Sequence, residues 1–144
     1  MDTHQAAPVQ QDDEAKIRAV ALDYIGGVLE NDPNRMERAL HPELAKRAYL
    51  PGLDGKPQFS QMSAMALVQR VGAAGRRLDP SRRAEVVILD RYEGAASVRT
   101  TFDEWIDYLH IVNVGDAWKI INVLWELTPE QWVGLGGTPG ERMR

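Results

Sequence analysis

The chain has 144 residues, 44% of them hydrophobic and 26% charged, which is the size and balance of one globular domain with a sizeable core. A net charge of -4 argues against an electrostatic binder of nucleic acid or anionic membrane, and the absence of cysteine excludes a disulfide framework and thiolate chemistry. The opening MDTHQAAPVQQDD lacks a basic start followed by an apolar core, and no apolar run is long enough to span a bilayer, so a cytoplasmic protein with no membrane or nucleic-acid partner is expected.

Residues 1–11 are polar and without period and are expected to form a disordered tail before a single domain over 12–135. Asp12 or Asp13 can cap a first helix, along which Ile17, Val20, Ala21, Tyr24, Ile25, Val28 and Leu29 make one apolar stripe. Gly26-Gly27 interrupts good helix formers and predicts a close approach of another backbone. Asp32-Pro33 supplies an N-cap and a first-turn proline for a second helix, whose Met36, Ala39 and Leu40 face inward and which His41-Pro42 ends. Ala45 to Leu50 reads as a short strand, followed by a Pro- and Gly-rich loop through Pro57. Ser60 is the expected cap of a third helix carrying Ala64, Leu67, Val68 and Val71, which Gly72 and Gly75 end. Arg76, Arg77, Arg82 and Arg83 around Asp79-Pro80 read as a solvated loop without assigned function.

From Glu85 the pattern changes to period two. Glu85–Asp90 and Ala95–Phe102 predict two strands around a Tyr92-Glu93-Gly94 turn. Thr101 to Leu127 predicts a long hairpin about the two-residue turn Gly115-Asp116. A regular ladder from that turn pairs Asn113 with Trp118, Ile111 with Ile120, Leu109 with Asn122 and Asp107 with Leu124. The face holding Asp107 then also holds Trp105, Trp118 and Asn122, and a carboxylate and an amide in an apolar wall suggest a pocket. The other face carries Ile106, Tyr108, His110, Val112, Ile121, Val123 and Trp125; with no evident cover in one chain, it predicts a homodimer interface. Thr128-Pro129-Glu130-Gln131 forms a capping-box pattern for a last short helix, with Trp132, Val133 and Leu135 available to dock it before a flexible tail over 136–144.

Helices followed by an antiparallel meander predict an α+β fold, with N-terminal helices packed on a curved antiparallel sheet. The segments Asp23-Tyr24-Ile25-Gly26-Gly27 with Asp32, Ala39-Leu40-His41-Pro42-Glu43, and Asp107-Tyr108-Leu109 with Trp118-Lys119-Ile120 resemble the nuclear transport factor 2-like superfamily. This cystatin-like cone also holds ketosteroid isomerase, scytalone dehydratase and the SnoaL-like cyclases. The closest resemblance is to the putative lumazine-binding group, over about Asp13 to Glu126. Comparison with ketosteroid isomerase implies an oxyanion hole made of Tyr24 and Asp107, while the position corresponding to its catalytic carboxylate is Leu50, which offers no base.

The leading expectation is therefore a binder of a small aromatic or polycyclic organic molecule. Tyr24, Asp107 and Asn122 would orient its polar atoms and Trp105 and Trp118 would give stacking area. The alternative is a cofactor-independent lyase, isomerase or cyclase, in which Tyr24 and Asp107 stabilise an enolate and His41 is the base. A protein-interaction module with a filled core is the third. The three histidines lack metal-ligand spacing, and neither metal nor cofactor is expected.

Overall fold

In the computed structural model the described residues are 6–73, 84–102 and 105–137, with the side chains of 6–11 excepted. The elements are α1 (Ala6–Leu29), α2 (Pro33–Ala39), β1 (Leu40–Pro51), β2 (Pro57–Ser63), α3 (Ala64–Ala73), β3 (Ala84–Arg91), β4 (Ala95–Phe102), β5 (Trp105–Val114), β6 (Ala117–Leu127) and α4 (Pro129–Gly134). The strands form one six-stranded sheet in the order β2-β1-β6-β5-β4-β3. Helices α1 to α3 cover one of its faces, giving the α+β layout with a curved sheet expected from the sequence.

Helix α1 begins at Ala6, ahead of the Asp12 or Asp13 cap, so residues 6–11 are its first turns and not a separate tail. Ala and Gln are good helix formers, and Pro8 falls in the first turn, where a missing N–H has no intrahelical partner to lose. Its apolar stripe is buried as the period requires, with Ile17, Ala21 and Tyr24 at 0 to 1% exposure. The glycine pair has the purpose its position suggested. A Cβ on Gly27 would stand 3.1 Å from the Met36 backbone, and one on Gly26 would meet the Arg35 guanidinium, so α2 lies directly on this part of α1. Asp32 caps α2 by accepting from the N–H groups of Asn34 and Arg35. Arg35 in turn binds Asp23 at 2.9 Å, tying the two helices together.

Two further segments depart from the expectation. Strand β1 starts at Leu40, not Ala45; a register shift between those two residues accommodates the His41-Pro42 segment. Residues 57–63 are the edge strand β2, not loop and helix cap, and Ser63 in place of Ser60 accepts the Ala66 N–H of α3. Edge position explains why β2 was hidden: most of it is exposed, so its sequence carries little alternation. The β1–β2 hairpin joins the expected meander through a parallel pairing of β1 with β6. The arginine loop and residues 138–144 lie outside the described residues.

The long hairpin turns at Gly115-Asp116, with Val114 opposite Ala117 and positive φ at Gly115 alone of the pair, the arrangement of a two-residue loop with glycine first. Asn113 faces Trp118 and Ile111 faces Ile120, as the regular ladder predicts. The register then slips. His110 faces Asn122, Leu109 faces Val123 and Asp107 faces Trp125, because Ile121 is the extra residue of a β-bulge. Beyond the bulge every residue of β6 is turned to the face opposite to the one expected. Val123 is 2% exposed in the core and Trp125 packs against that core, while Asn122 and Leu124 lie on the outer face. Val123 and Trp125 therefore do not belong to the expected interface face.

Candidate functional site

Strands β4, β5 and β6 place Thr100, Asp107 and Trp125 side by side on the inner face, since Thr100 pairs with Asp107 and Asp107 with Trp125. On β1, Lys46 pairs with Val123 and Ala48 with Trp125, which brings a lysine to the same face. Tyr24 descends onto this group from the buried stripe of α1.

Four of these side chains, Lys46, Tyr24, Asp107 and Thr100, form one polar line in an apolar setting. Lys46 Nζ donates to the Tyr24 hydroxyl at 2.7 Å, and that hydroxyl donates to Asp107 Oδ1 at 3.2 Å. Thr100 Oγ1 donates to the other oxygen, Oδ2, at 3.3 Å. The directions are fixed by chemistry: an ammonium only donates, so the single phenolic hydrogen is left for the carboxylate. Lys46 Nζ also sits 5.1 Å from the Tyr24 ring centre and 5.5 Å from that of Trp125.

Burial dominates the electrostatics. Asp107 is 1% exposed, and loss of hydration raises its pKa despite Lys46, Tyr24, Thr100 and Trp105 all favouring the ionised form. Burial likewise lowers Lys46, against the attraction of Asp107 and with the repulsion of Arg70. Tyr24 is raised well above the ordinary phenol value, first by burial and then by the neighbouring carboxylate, so it remains a hydrogen-bond donor across the neutral range. Both charged ends of the line are thus pushed toward their neutral forms.

Beside Asp107 lies a small recess lined by Tyr24, Ile25, Val28, Thr100, Phe102, Trp105 and Asp107. Its space is about 210 Å³ counting the open mouth, but the enclosed part has room for about one water molecule. A polycyclic ring does not fit inside it. Phe102 and Trp105, with ring centres 4.7 Å apart in an edge-on arrangement, stand at its side.

Of the expected wall, Tyr24, Asp107 and Trp105 come together. Trp118 does not: it is in the core seven residues along β6 from Trp125, on the order of 20 Å away by strand rise. Asn122 is on the outer face, 3.4 Å from His110 Nδ1, for the reason given by the bulge. His41 accepts the Glu43 N–H at 3.0 Å through Nδ1, the local contact of a strand-opening turn, and makes no contact with Asp107 among the described residues. The sequence reading missed Lys46 and Thr100. Both stand in period-two apolar series, Thr100 between Val98 and Phe102 and Lys46 between Leu44 and Ala48, and a polar residue in such a series is the available signal.

Among the described residues no three His, Cys, Asp or Glu side chains converge as a metal ligand set, and no helix is long and apolar enough to cross a membrane. The outer face of the sheet carries Ile106, Tyr108, His110 and Val112 of β5, with Tyr49, Phe59 and Leu124 alongside. Phe59 is 70% exposed and packs with its ring centre 4.9 Å from that of Tyr49, tilted by 52°; Tyr49 is itself 46% exposed.

A model of the family described as putative lumazine-binding matches residues 12–126. No curated protein matches the chain. Among solved structures, the chain is similar to a nuclear transport factor 2-like protein of unknown function from Shewanella baltica OS155, at 18% identity and TM-score 0.69 over 83% of this chain and 95% of that one. A second such protein, from Methylobacillus flagellatus KT, gives 17% identity and TM-score 0.68 over 81% and 93%. A protein described as a putative scytalone dehydratase from Novosphingobium aromaticivorans DSM 12444 gives 16% identity and TM-score 0.57 over 85% and 88%. These structural likenesses carry the fold.

Proposed function

The chain belongs to the putative lumazine-binding family of the nuclear transport factor 2-like superfamily, and from that membership we propose that it binds a small aromatic organic molecule at the Tyr24–Asp107 wall. The observation that carries this reading is the buried carboxylate of Asp107. Each of its oxygens takes one hydroxyl donor, from Tyr24 and Thr100, and a carboxylate has lone pairs for more. It also lines the recess. A purely structural acid in this position would be raised in pKa for no return. The recess sets the pose: one polar hydrogen of the ligand enters the water-sized space and donates to Asp107, and the ring lies at the mouth against Trp105 and Phe102. A heteroaromatic with a ring N–H, such as lumazine itself, has that shape. The lyase or isomerase alternative has less support, since His41 makes its contact with the Glu43 N–H and none with Asp107 among the described residues.

Titration of the purified protein with lumazine, and with any molecule that native mass spectrometry finds retained through purification, tests the reading. Tyr24→Phe and Asp107→Asn are each expected to weaken binding about tenfold or more, as loss of a hydrogen bond to a charged group does. Unchanged affinity in both variants would sink it.

The outer face supports a second copy of the chain as its cover. Phe59 pairs with Tyr49 and Leu124 with Tyr108, two apolar pairs on one face that are 40 to 70% exposed, with Arg47 opposite Leu124 on β1, and a monomer leaves them in water. Analytical ultracentrifugation is expected to give a dimer, and Tyr108→Glu with Leu124→Glu a monomer; a wild-type monomer at micromolar concentration refutes the interface.

A further inference from the structure

The Tyr24 hydroxyl is engaged on both sides, by Lys46 and by Asp107, and Lys46 is left with capacity to spare. An ammonium has three N–H donors; one goes to the Tyr24 hydroxyl, and among the described residues no other polar atom takes the remaining two. No described carboxylate lies within ion-pair distance of Nζ, because the Tyr24 hydroxyl stands between it and Asp107. The ammonium is nevertheless held in place, flanked by the rings of Tyr24 and Trp125. Lys46 as a whole is partly exposed. Exposed Arg70, in the last turn of α3, is close enough for its charge to act against that of Lys46. Arg70 thus adds positive charge near Lys46, while the Asp107 carboxylate, behind the Tyr24 hydroxyl, acts on the ammonium more strongly.

We propose that Lys46 is the anion-recognising residue of the inner face, and that the molecule bound there is a small organic acid whose carboxylate takes the two unused N–H donors. Arg70 draws the anion in. This deepens the binding reading above and rests on it, adding the charge of the ligand. The energetic logic is that a desolvated ammonium with only a phenol as partner is costly, and a carboxylate on its free side supplies charge-assisted hydrogen bonds that offset the cost. Benzylic or heteroaromatic acids fit best, because the surfaces next to the ammonium are aromatic.

The test uses two probes of equal ring and nearly equal size, benzoate and benzamide, titrated into the full-length protein and followed by the indole N–H signals of Trp105 and Trp125 in NMR spectra. Benzoate is expected to bind at least tenfold more tightly than benzamide in the wild type. Lys46→Met, which keeps the length and packing of the stem, should reduce benzoate to the level of benzamide, whereas Lys46→Arg should retain the preference. Arg70→Gln should cost less, and that loss should vanish at high salt. Equal binding of the two probes, or a benzoate preference that survives Lys46→Met, overturns the role of Lys46 while the binding reading stands. Failure of both probes to move either indole signal, with lumazine also inert, overturns the two together.

Discussion

Insertion of one alanine between Asn122 and Val123 is expected to destabilise the protein by about 4 kcal/mol or more, with loss of a cooperative unfolding transition near ambient temperature. The reason is geometric. The bulge at Ile121 sets which face each later residue of β6 takes, and one further residue beyond it turns every one of them over. Val123, 2% exposed in the core, is turned out, and Trp125 leaves Lys46 and Asp107. In their place the added alanine enters the core and Leu124 displaces the indole. Exposing the buried side chains of Val123 and Leu127 costs about 1.5–3 kcal/mol each. Ile121→Ala keeps the register and removes only a half-buried side chain, so it should cost no more than about 1 kcal/mol. Chemical denaturation of the two variants side by side distinguishes a register effect from a packing contact; similar losses in both would show that the facing set by the bulge does not govern the strand.

The same bulge marks the limit of what the sequence discloses. Period and turn chemistry locate α1, α2, β4 and the Gly115-Asp116 turn, because each depends on residues within one turn or one strand of each other. A bulge is a choice between two ladders that differ by one residue. Leu-Trp at 124–125 and Asn-Val at 122–123 offer one apolar residue to each face in either register, so the local pattern does not decide it. What decides is the bend that lets β6 lie against β1, a contact between residues about eighty positions apart. Tyr24 and Asp107 were legible as a polar pair in apolar surroundings, each on its own element. Lys46 is not, because a strand that begins at Ala45 shows no alternation around its second residue, whereas β1 begins at Leu40. Trp118 was misplaced by distance along the strand and not by face, which alternation alone does not measure.

Asp107→Asn is expected to make the protein more stable at neutral pH, by about 0.5–2 kcal/mol, while weakening its ligand. The sign follows from linkage. Asp107 has a folded-state pKa raised above the unfolded value of 3.8, burial being the largest cause, so the folded protein binds this proton more tightly than the unfolded chain. Its contribution is therefore neutral below the unfolded value, and stability is lost as pH rises from about there through the raised folded value. Above that window the ionised carboxylate carries the full penalty. Attraction to Lys46 does not reverse the sign, because the raised pKa already includes it, along with the hydrogen bonds from Tyr24 and Thr100. Asparagine mimics the protonated acid: its carbonyl accepts the Tyr24 hydroxyl, and its amide donates to Thr100 after that hydroxyl rotates. Lys46, partly exposed, can turn to water. Subtracting the two stability-versus-pH curves isolates the group. The difference should be small near pH 3, open in favour of the variant as pH rises from about 4, and level off once the wild-type acid is fully ionised. A variant less stable than wild type across the neutral range would make Asp107 a structural member of its network. A stability cost of this sign in an acid held by Tyr24, Thr100 and Lys46 is what the proposed binding role of Asp107 requires, since perturbed groups of this kind cluster at functional sites.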